Sequence, residues 1–392
     1  MSEITVPMGP QHPALKEPSS FTLKVDHEIV RDIDLNIGYN HRGIEKACEK
    51  QNYIQNLYLL ERVCGICSMA HAQNFAMGVE ELLGIDPPRR AKVIRMIVAE
   101  LERLHSHFLW LGVAGHMIGY DTLFMLSWRD REIVQDLSEN ITGNRVNYGI
   151  NCVGGVRRDI MPEQIAELKK GLEILKKQTD YYVQIATSEP TLAARSKGVA
   201  ILPTAVALST GAVGPLARAS NVPTDVRKDD PYHLYAEVPF QVISNDGCDI
   251  FARIVVRALE IYETIKILDW CVANLSAGEI AVKAPRKIPA GEAVVRCEAP
   301  RGEDIHYYRS NGSEFLERVK VRAPTMANWL GCMEMCRGQK LADIPIAIAS
   351  IDPCYSCTDR VIEVEDLNSG KLTKHTWEDL RQYGIRWYAN ES

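Results

Sequence analysis

The chain carries Arg62-Val63-Cys64-Gly65-Ile66-Cys67 in its first fifth and Asp352-Pro353-Cys354-Tyr355-Ser356-Cys357 near its end. Each cysteine pair has the spacing of two thiols that bind one metal ion. The first pair leads into a helical pattern over residues 67–83, whose first backbone N–H groups favour thiolate. Pro353 fixes the backbone just before the second pair. Four thiols on one metal require a fold that brings the two ends of a 392-residue chain together.

A structural zinc site is the plainer interpretation of four cysteines. Zinc ribbons and fingers, however, bring their pairs together within a few tens of residues, whereas 286 residues separate Cys67 from Cys354. A metal that joins both ends of a large core suits a buried catalytic site better, although spacing alone leaves zinc open. We interpret the other cysteines as small buried residues without a metal: Cys48, Cys152, Cys248, Cys271, Cys297, Cys332 and Cys336.

Composition excludes several classes of protein. A net charge of −6 without a block of Lys or Arg gives no attraction to nucleic acid. The N-terminus lacks a secretion signal, and every apolar stretch is interrupted by charge, Gly or Pro, so we expect the chain to stay in the cytoplasm. Eleven cysteines in such a chain indicate reduced thiols and metal or redox chemistry rather than disulfides.

Hydrophobic periodicity predicts a mainly α-helical fold with small β additions (α+β). Apolar residues alternate over 21–37, become helical from about residue 44, and return to a strand pattern with a hairpin turn at Ser310-Asn311-Gly312. The predicted regions are a small β region over 1–40, a helical body over 41–360 with a β insertion near 292–322, and a tail over 361–392 with a hairpin and a polar end. The predicted long helices begin at Asp86-Pro87-Pro88 and cover 163–187 and 249–275.

Within the helix that follows Asp86, a rotation of about 100° per residue places Glu100 and His107 at the edge of the apolar stripe. The same rotation directs Glu102 and His105 away from it. A buried carboxylate and imidazole must be hydrogen-bonded or shifted in pKa, so Glu100 and His107 are candidates for a proton path. A static tie between helices is the alternative.

Both cysteine motifs resemble, in their flanks and their order, those of NiFe-hydrogenase large subunits. Further resemblance covers nearly the whole chain, through Gly9-Pro10-Gln11-His12-Pro13, His41-Arg42-Gly43-Ile44-Glu45-Lys46, Gly154-Gly155-Val156-Arg157 and Ala299-Pro300-Arg301-Gly302. It is strongest toward the membrane-associated, energy-converting hydrogenases related to complex I, and it implies their helical-bundle body. The quinone-site subunit of complex I resembles the first two of these motifs but lacks the nickel-binding cysteines.

The resemblance implies a Ni–Fe centre and reversible oxidation of H2. Cys64 and Cys354 would be terminal nickel ligands, whereas Cys67 and Cys357 would bridge nickel to an iron that carries carbon monoxide and cyanide. Soft thiolates suit nickel. Heterolytic cleavage of H2 also needs a group that accepts the proton, and a terminal thiolate can do so.

Three further residues match functional positions of the NiFe-hydrogenase family or lie near them. Arg301 matches an arginine that overhangs the metals; a turn arginine in an ion pair is the alternative. Glu17 aligns with a glutamate that relays protons from a terminal cysteine, unless it is a solvated surface carboxylate. His71 lies four residues after Cys67, hence on the same helix face, where it can donate a hydrogen bond to a bridging thiolate or be an ordinary core histidine.

The family also suggests a second metal and a processing site. Glu45 matches a carboxylate that binds a divalent ion such as Mg2+ near the end of the mature chain. In those relatives a histidine lies three residues after the last cysteine, whereas this chain has Arg360. Some related subunits lose their tail at this point, which implies cleavage between Arg360 and Val361; a structural surface cap is the alternative.

The expected partners also follow from the resemblance. They are an iron–sulfur small subunit, integral membrane subunits and a ferredoxin-type electron carrier, with the chain held peripherally on the cytoplasmic side of the membrane and coupled to ion translocation. Two other functions stay open: a sulfur- or quinone-reducing relative on the same scaffold, and a noncatalytic zinc scaffold that uses the same four cysteines.

Overall fold

The computed structural model describes residues 4–359, 362–375 and 377–391. Its architecture is α+β, with the helices forming the body. The helices are α1 Ile44–Cys48, α2 Tyr53–Glu61, α3 Ser68–Leu83, α4 Arg89–Ile118, α5 Asp121–Thr142, α6 Pro162–Ser188, α7 Pro190–Ser196, α8 Thr204–Ser209, α9 Gly214–Arg218, α10 Val226–Asp229, α11 Ile250–Ala273, α12 Pro324–Cys336, α13 Ile344–Ser350 and α14 Trp377–Glu391. The strands are β1 Ile4–Met8, β2 Ser20–Asp26, β3 Ile29–Asn36, β4 Asn151–Cys152, β5 Gly155–Val156, β6 Gly291–Ala299, β7 Gly302–Ser310, β8 Leu316–Arg322, β9 Ile362–Glu365 and β10 Leu372–His375.

The N-terminal sheet confirms the alternating pattern. Strands β1, β2 and β3 pair antiparallel in that order, and the β2–β3 hairpin turns at residues 27–28. One face of β2 is fully buried through Phe21, Leu23 and Val25, and β3 buries Ile33 and Leu35. This sheet therefore covers one side of the helical body with an apolar face.

Helix α4 runs through the centre of the body for 30 residues and begins directly after Pro88. It packs against α3, α5, α11 and α13. The predicted orientation of Glu102 and His105 is wrong, because both are 1% exposed, as deeply buried as Glu100 and His107. The prediction from an apolar stripe assumes that the opposite face of the helix is solvated. The middle of α4 has neighbours on every side and therefore has no solvated face.

A second antiparallel sheet, in the order β6-β7-β8, lies against α3. The predicted turn Ser310-Asn311-Gly312 connects β7 to β8. At the opposite end of β7, the tight β6–β7 connection pairs Ala299 with Gly302 and leaves Arg301 between them. The β insertion was predicted from the alternation, and the structure adds that it presents Arg301 to the core.

The tail contains the predicted hairpin of β9 and β10. The sequence did not predict α14, which leaves Tyr383, Ile385, Trp387 and Tyr388 more than half exposed. The expected cleavage site at Arg360 lies outside the described residues.

Two cysteines expected to be buried, Cys152 and Cys248, are partly exposed. Along the described ranges, none of the helices combines the length and apolar character needed to cross a bilayer.

We predict that His105 makes the fold sensitive to acid. Burial and the nearby charge of Arg131 lower the pKa of His105 to about 3, and Arg131 donates to its Nε2 at 3.4 Å. An unfolded histidine titrates near pH 6.5, so the contribution of neutral His105 is complete above that pH and is lost as the pH falls. From pH 7 to pH 5 the loss is about 2 kcal/mol.

His105→Gln should therefore show a smaller fall in thermal midpoint between pH 7 and pH 5 than the unsubstituted chain. The matched control is His116→Gln on the same helix, because His116 is half exposed and pairs with Asp121 at the surface. Equal pH dependence in the two variants would contradict the prediction.

Candidate metal centre

Four buried thiols converge although their sequence positions are far apart. The Sγ atoms of Cys64 and Cys354 are 3.2 Å apart, those of Cys67 and Cys357 are 3.7 Å apart, and Cys354 lies 3.0 Å from Cys357. All four Sγ atoms lie within 4.8 Å of one another. These separations are too long for disulfides. They leave four sulfur donors around one small volume.

The first pair precedes α3 as the sequence predicted. The backbone N–H groups of Ile66 and Cys67 point at Cys64 Sγ, at 3.2 and 3.4 Å. Hydrogen bonds from the other three thiols, Cys354 first, together with the charge of Arg301, hold the pKa of Cys64 well below its usual range. Cys64 is therefore the thiol of the group that most readily becomes a thiolate.

Cys67 is the N-cap of α3 but supplies no side-chain cap. The cap comes from Glu102 of α4, whose carboxylate accepts the backbone N–H groups of Met69 at 2.5 Å and Ala70 at 3.1 Å. Burial raises the pKa of Glu102 to about 8 against these hydrogen bonds. A carboxylate that looked solvent-facing in sequence thus fixes the helix that presents Cys67.

The second pair follows α13 through a tight connection. Asp352 adopts a left-handed conformation with φ 56°, and residues 355–357 form a short 3-10 turn. The backbone N–H of Cys354 donates to Thr325 Oγ1 at 3.1 Å. Tyr355 is buried against Trp329, with the ring centroids 5.3 Å apart. Packing on α12 therefore orients Cys354 and Cys357.

Helix α4 also holds the other two segments of the centre. Arg103 donates through Nη2 to the backbone carbonyl of Glu298 at 2.5 Å, three residues before Arg301. The indole N–H of Trp110 donates to the carbonyl of Ala349 at 2.8 Å, just ahead of the second cysteine pair. One helix thus positions both cysteine pairs and the β6–β7 turn.

Arg301 is buried at the cage. Its Nε donates to the backbone carbonyl of Asp352 at 2.7 Å and its Nη2 to Asp352 Oδ1 at 2.9 Å. Its Nη1 is buried without a hydrogen-bond partner among the described residues. The ion pair that the alternative interpretation expected is present, but its partner lies two residues before Cys354. The free Nη1 fits a buried anionic group beside the thiols.

Glu17 lies at the outer side of the second pair. Its carboxylate accepts the backbone N–H of Ser356 at 2.8 Å and the Ser356 hydroxyl at 3.2 Å. Burial raises the pKa of Glu17, and the charge on Cys64 acts in the same direction. Its loop lines a cavity of about 370 Å³ that is formed by residues 10–13 and 15–18. The side chain is therefore between the cage and the surface.

His71 lies against the two thiols expected to bridge the metals. Its Nε2 is 3.4 Å from Cys357 Sγ and 3.7 Å from Cys67 Sγ. Burial lowers the pKa of His71, but the Asp304 carboxylate, 3.3 Å from Nδ1, together with the charges of Cys64 and Glu102 leaves this pKa raised. His306 lies on the same side, with its Nε2 3.1 Å from His71 Nδ1.

Arg42 links the two cysteine pairs from the outside. Its guanidinium donates to the carbonyls of Arg62 at 3.0 Å and Val63 at 2.6 Å, just before Cys64. It also reaches the carbonyl of Ser356 at 3.5 Å, just before Cys357. Arg42 is exposed, so these charge-assisted hydrogen bonds close the cage from the protein surface.

The remaining predicted residues are tied to other groups. Glu45 accepts hydrogen bonds from Lys320 Nζ at 3.1 Å and the Val321 N–H at 2.9 Å, so its Mg2+ role stays a prediction. Glu100 pairs with Arg227 at 3.1 Å, and His107 Nε2 lies 2.8 Å from Glu260. These contacts are of the kind a static tie requires. A proton path through Glu100 and His107 stays a prediction.

Sequence reasoning missed several residues at the cage. Asp304, His306 and Tyr308 alternate along β7, a period of two that predicts one shared face, but nothing in the pattern said that α3 covers this face. Arg42 belongs to the motif His41-Arg42-Gly43-Ile44-Glu45-Lys46, but no contact was predicted for it. Its partners are backbone carbonyls, which no side-chain pattern reveals.

The donor set fits a soft metal. Four thiolates suit nickel, zinc or iron better than hard cations. The buried Arg301 offers its Nη1, which has no partner among the described residues, to an anionic group. Over the described ranges, the groups of His, Cys, Asp or Glu close enough to hold a metal are the four cysteines and the cluster His71, Asp304 and His306. The other seven cysteines take no part in them.

Comparison with known proteins adds two families. Residues 42–114 match the family "Nickel-dependent hydrogenase", and residues 117–288 and 280–360 match "Respiratory-chain NADH dehydrogenase, 49 Kd subunit". The chain is 39% identical to formate hydrogenlyase subunit 5 of Escherichia coli, over 97% of this chain and 67% of the relative. It is 39% identical to membrane-bound hydrogenase subunit alpha of Pyrococcus furiosus, over 97% and 92% of the two chains.

Similarity also extends to proteins named for other reactions. The chain is 35% identical to NADH-quinone oxidoreductase subunit 4 of Thermus thermophilus, over 91% of this chain and 94% of the relative. A chain from the solved structure of the membrane-bound sulfane sulfur reductase, an archaeal respiratory membrane complex, superposes with a TM-score of 0.87 at 31% identity. That match covers 91% of this chain and 98% of the other.

We predict that Arg42→Gln weakens metal retention. The variant loses two short hydrogen bonds before Cys64 and a 3.5 Å contact before Cys357. Each is worth about 0.5–1.5 kcal/mol, so we expect a roughly tenfold loss in affinity for the bound metal. The measurement is competition of the purified protein with a chelator. Lys46→Gln is the control, because Lys46 is an exposed cation on α1 that pairs locally with Glu49. Identical retention in both variants would rule out the link.

Proposed function

This chain belongs to the oxidoreductase family that unites NiFe-hydrogenase large subunits with the 49 kDa subunit of respiratory NADH dehydrogenase, and from that premise we propose that it is the catalytic subunit of a NiFe-hydrogenase. The reaction is the reversible interconversion of H2 with protons and electrons. The observation that carries the proposal is the convergence of four buried thiols within 4.8 Å.

Cys64 and Cys354 would hold nickel as terminal ligands, and Cys67 and Cys357 would bridge to an iron with carbon monoxide and cyanide. When bound, such a centre supplies soft metal ions that bind H2 and accept its electrons. The protein supplies the rest. Four thiolates in an enclosed site carry a large negative charge, and buried Arg301 lies where a fixed cation lowers its electrostatic cost.

Protons would leave the metal centre through Glu17. A base near the terminal cysteines must take a proton and return it to solvent. Glu17 contacts Ser356, between Cys354 and Cys357, and lines a surface cavity. Its raised pKa lets it exist in both protonation states closer to neutral pH than an exposed glutamate does. His71 would donate its Nε2–H to the bridging sulfurs rather than carry the proton.

The assembly is also part of the proposal. Relatives at 39% identity are named as subunits of a formate hydrogenlyase and of a membrane-bound hydrogenase. We infer that this chain docks with an iron–sulfur small subunit, a ferredoxin-type electron carrier and integral membrane subunits, as a peripheral subunit on the cytoplasmic side. Ion translocation, a Mg2+ at Glu45 and cleavage after Arg360 stay predictions within this scheme.

A second candidate is a reductase of sulfur compounds or quinones that uses the same scaffold. It is favoured by the similarity to the sulfane sulfur reductase and to the NADH-quinone oxidoreductase relative. The four thiols favour the hydrogenase, because a quinone site does not need a sulfur cage.

The deciding experiment is metal analysis and infrared spectroscopy of the complex purified from its source. We expect stoichiometric nickel and iron, infrared bands of carbon monoxide and cyanide, and H2 turnover. Cys354→Ser should lose the nickel and the bands, whereas Cys336→Ser, a buried cysteine of α12 outside the cage, should retain both. Stoichiometric zinc without the bands would overturn the proposal, and nickel-free reduction of sulfur compounds or quinones would favour the second candidate.

We predict that Glu17→Gln separates proton transfer from metal binding. The amide keeps an acceptor for Ser356 but cannot exchange a proton, so we expect full nickel content and unchanged infrared bands with a loss of about 100-fold or more in H2–proton exchange. Glu28→Gln, in the exposed β2–β3 turn, is the control and should behave as the unsubstituted protein. Near-normal exchange in Glu17→Gln would exclude this route.

A further inference from the structure

Three residues on one face of β7 form a buried polar ladder that ends at the cage. Asp304, His306 and Tyr308 alternate along the strand and are all fully buried. Tyr308 OH lies 2.5 Å from His306 Nδ1, and His306 Nε2 lies 3.0 Å from Asp304 Oδ2. The ladder continues to His71 Nδ1, 3.3 Å from the same carboxylate oxygen. It reaches the thiols through His71 Nε2.

We propose that Asp304, supported by His306 and Tyr308, is the residue that positions His71 against the bridging cysteines. The inference rests on the proposed function, since it concerns the same four thiols. Asp304 and His306 hold the Nδ1 edge of the His71 ring, and the opposite edge then directs Nε2 at the sulfurs of Cys67 and Cys357.

The electrostatics favour this orientation. The ring nitrogens of His71 and His306 are 3.1 Å apart, so a proton must lie between them to avoid facing lone pairs. His71 then donates from both ring nitrogens, through Nδ1 to this edge and through Nε2 to the sulfurs, and the Asp304 carboxylate beside Nδ1 balances the charge of such a ring. The carboxylate is itself held by Asn74, whose Nδ2 donates to Oδ2 and to the backbone carbonyl of Asp304, both at 2.8 Å.

Packing makes the ladder rigid. The two imidazole rings stack with centroids 5.3 Å apart and planes tilted by 26°. Tyr308 meets Phe75 edge-on at 5.3 Å, and a Cβ added at Gly78 of α3 would come within 2.4 Å of the Tyr308 ring. The far end of the ladder is thus a tightly enclosed phenol. This buried ladder is therefore better suited to holding the His71 ring in place than to exchanging protons with water.

Outer hydrogen bonds of this kind set how strongly a metal is held. A thiolate that accepts an N–H donates less electron density to its metal, so loss of the N–H changes the electron density at the metals. Loss of a residue that fixes the position of a ligand typically lowers metal affinity by about 10–100-fold. Removing the Asp304 charge frees His71 to rotate away from the bridging sulfurs. Both metal retention and the electron density at the metals should therefore respond.

The test compares Asp304→Asn with Glu303→Gln in the intact complex. Glu303 is the preceding residue of β7, and it pairs with Arg296 and Arg322 outside the ladder. We expect Asp304→Asn to lose nickel to a chelator about 10–100-fold more readily and to shift the infrared bands of the residual centre. Glu303→Gln should match the unsubstituted complex in both measurements.

Tyr308→Phe keeps the proposal testable if Asp304→Asn does not fold. It preserves the ring that packs on Gly78 and removes only the hydroxyl, so we expect a smaller change in the same direction. Band positions and nickel retention that equal those of Glu303→Gln in every folded ladder variant would overturn the proposal. A third metal ion lost only in Asp304→Asn would also overturn it, because the ladder would then be a metal site.

These outcomes separate this proposal from the function above it. A complex that binds nickel without carbon monoxide or cyanide bands would contradict the hydrogenase. Chelator retention in Asp304→Asn and Glu303→Gln would still decide whether Asp304 supports the thiol cage.

Discussion

The hydrogen bonds that α4 donates and accepts at its buried surface are the constraint on which the centre depends. Glu102 accepts two N–H groups at the start of α3, Arg103 donates to the strand that leads to Arg301, and Trp110 donates to the carbonyl ahead of the second cysteine pair. None of these groups can turn to water instead. Losing one partner leaves a buried polar group unsatisfied, which costs about 1–3 kcal/mol, so the three segments keep one arrangement.

Charge is distributed around α4 for the same reason. Glu100 pairs with Arg227, and His107 reaches Arg218 through Glu260. Burying an isolated charge in a core costs free energy, and this cost is offset only when neighbouring groups pair with the charge. Removing one charged residue from the network therefore destabilises the fold more than replacing the whole network by apolar residues would. This explains why a helix in the middle of the protein can be rich in ionisable residues and still be almost wholly buried between Val93 and Gly115.

Helix boundaries and the cysteine pairs could be predicted from the sequence, because periodicity and flanking motifs are local properties. The positions of α4, α6, α11 and the β6–β8 sheet follow from them closely. The burial of Glu102 and His105 could not be predicted, since it depends on how many neighbours α4 has. The contact of Arg42 with the Ser356 carbonyl and that of Asp304 with His71 depend on which surfaces meet across more than 200 residues of chain. Only the tertiary fold supplies that information.

The separation of the two cysteine pairs has a consequence for biosynthesis. Cys64 and Cys354 are 290 positions apart, yet both belong to one cage. A ribosome makes the helical body and the β6–β8 sheet before it makes the second pair, so the N-terminal thiols wait in a partly folded chain for their counterparts. Closing so long a loop carries an entropic cost that a bound metal offsets only after both pairs are present. A metal ion that needs all four thiols would therefore bind only after the chain between the two cysteine pairs has been made.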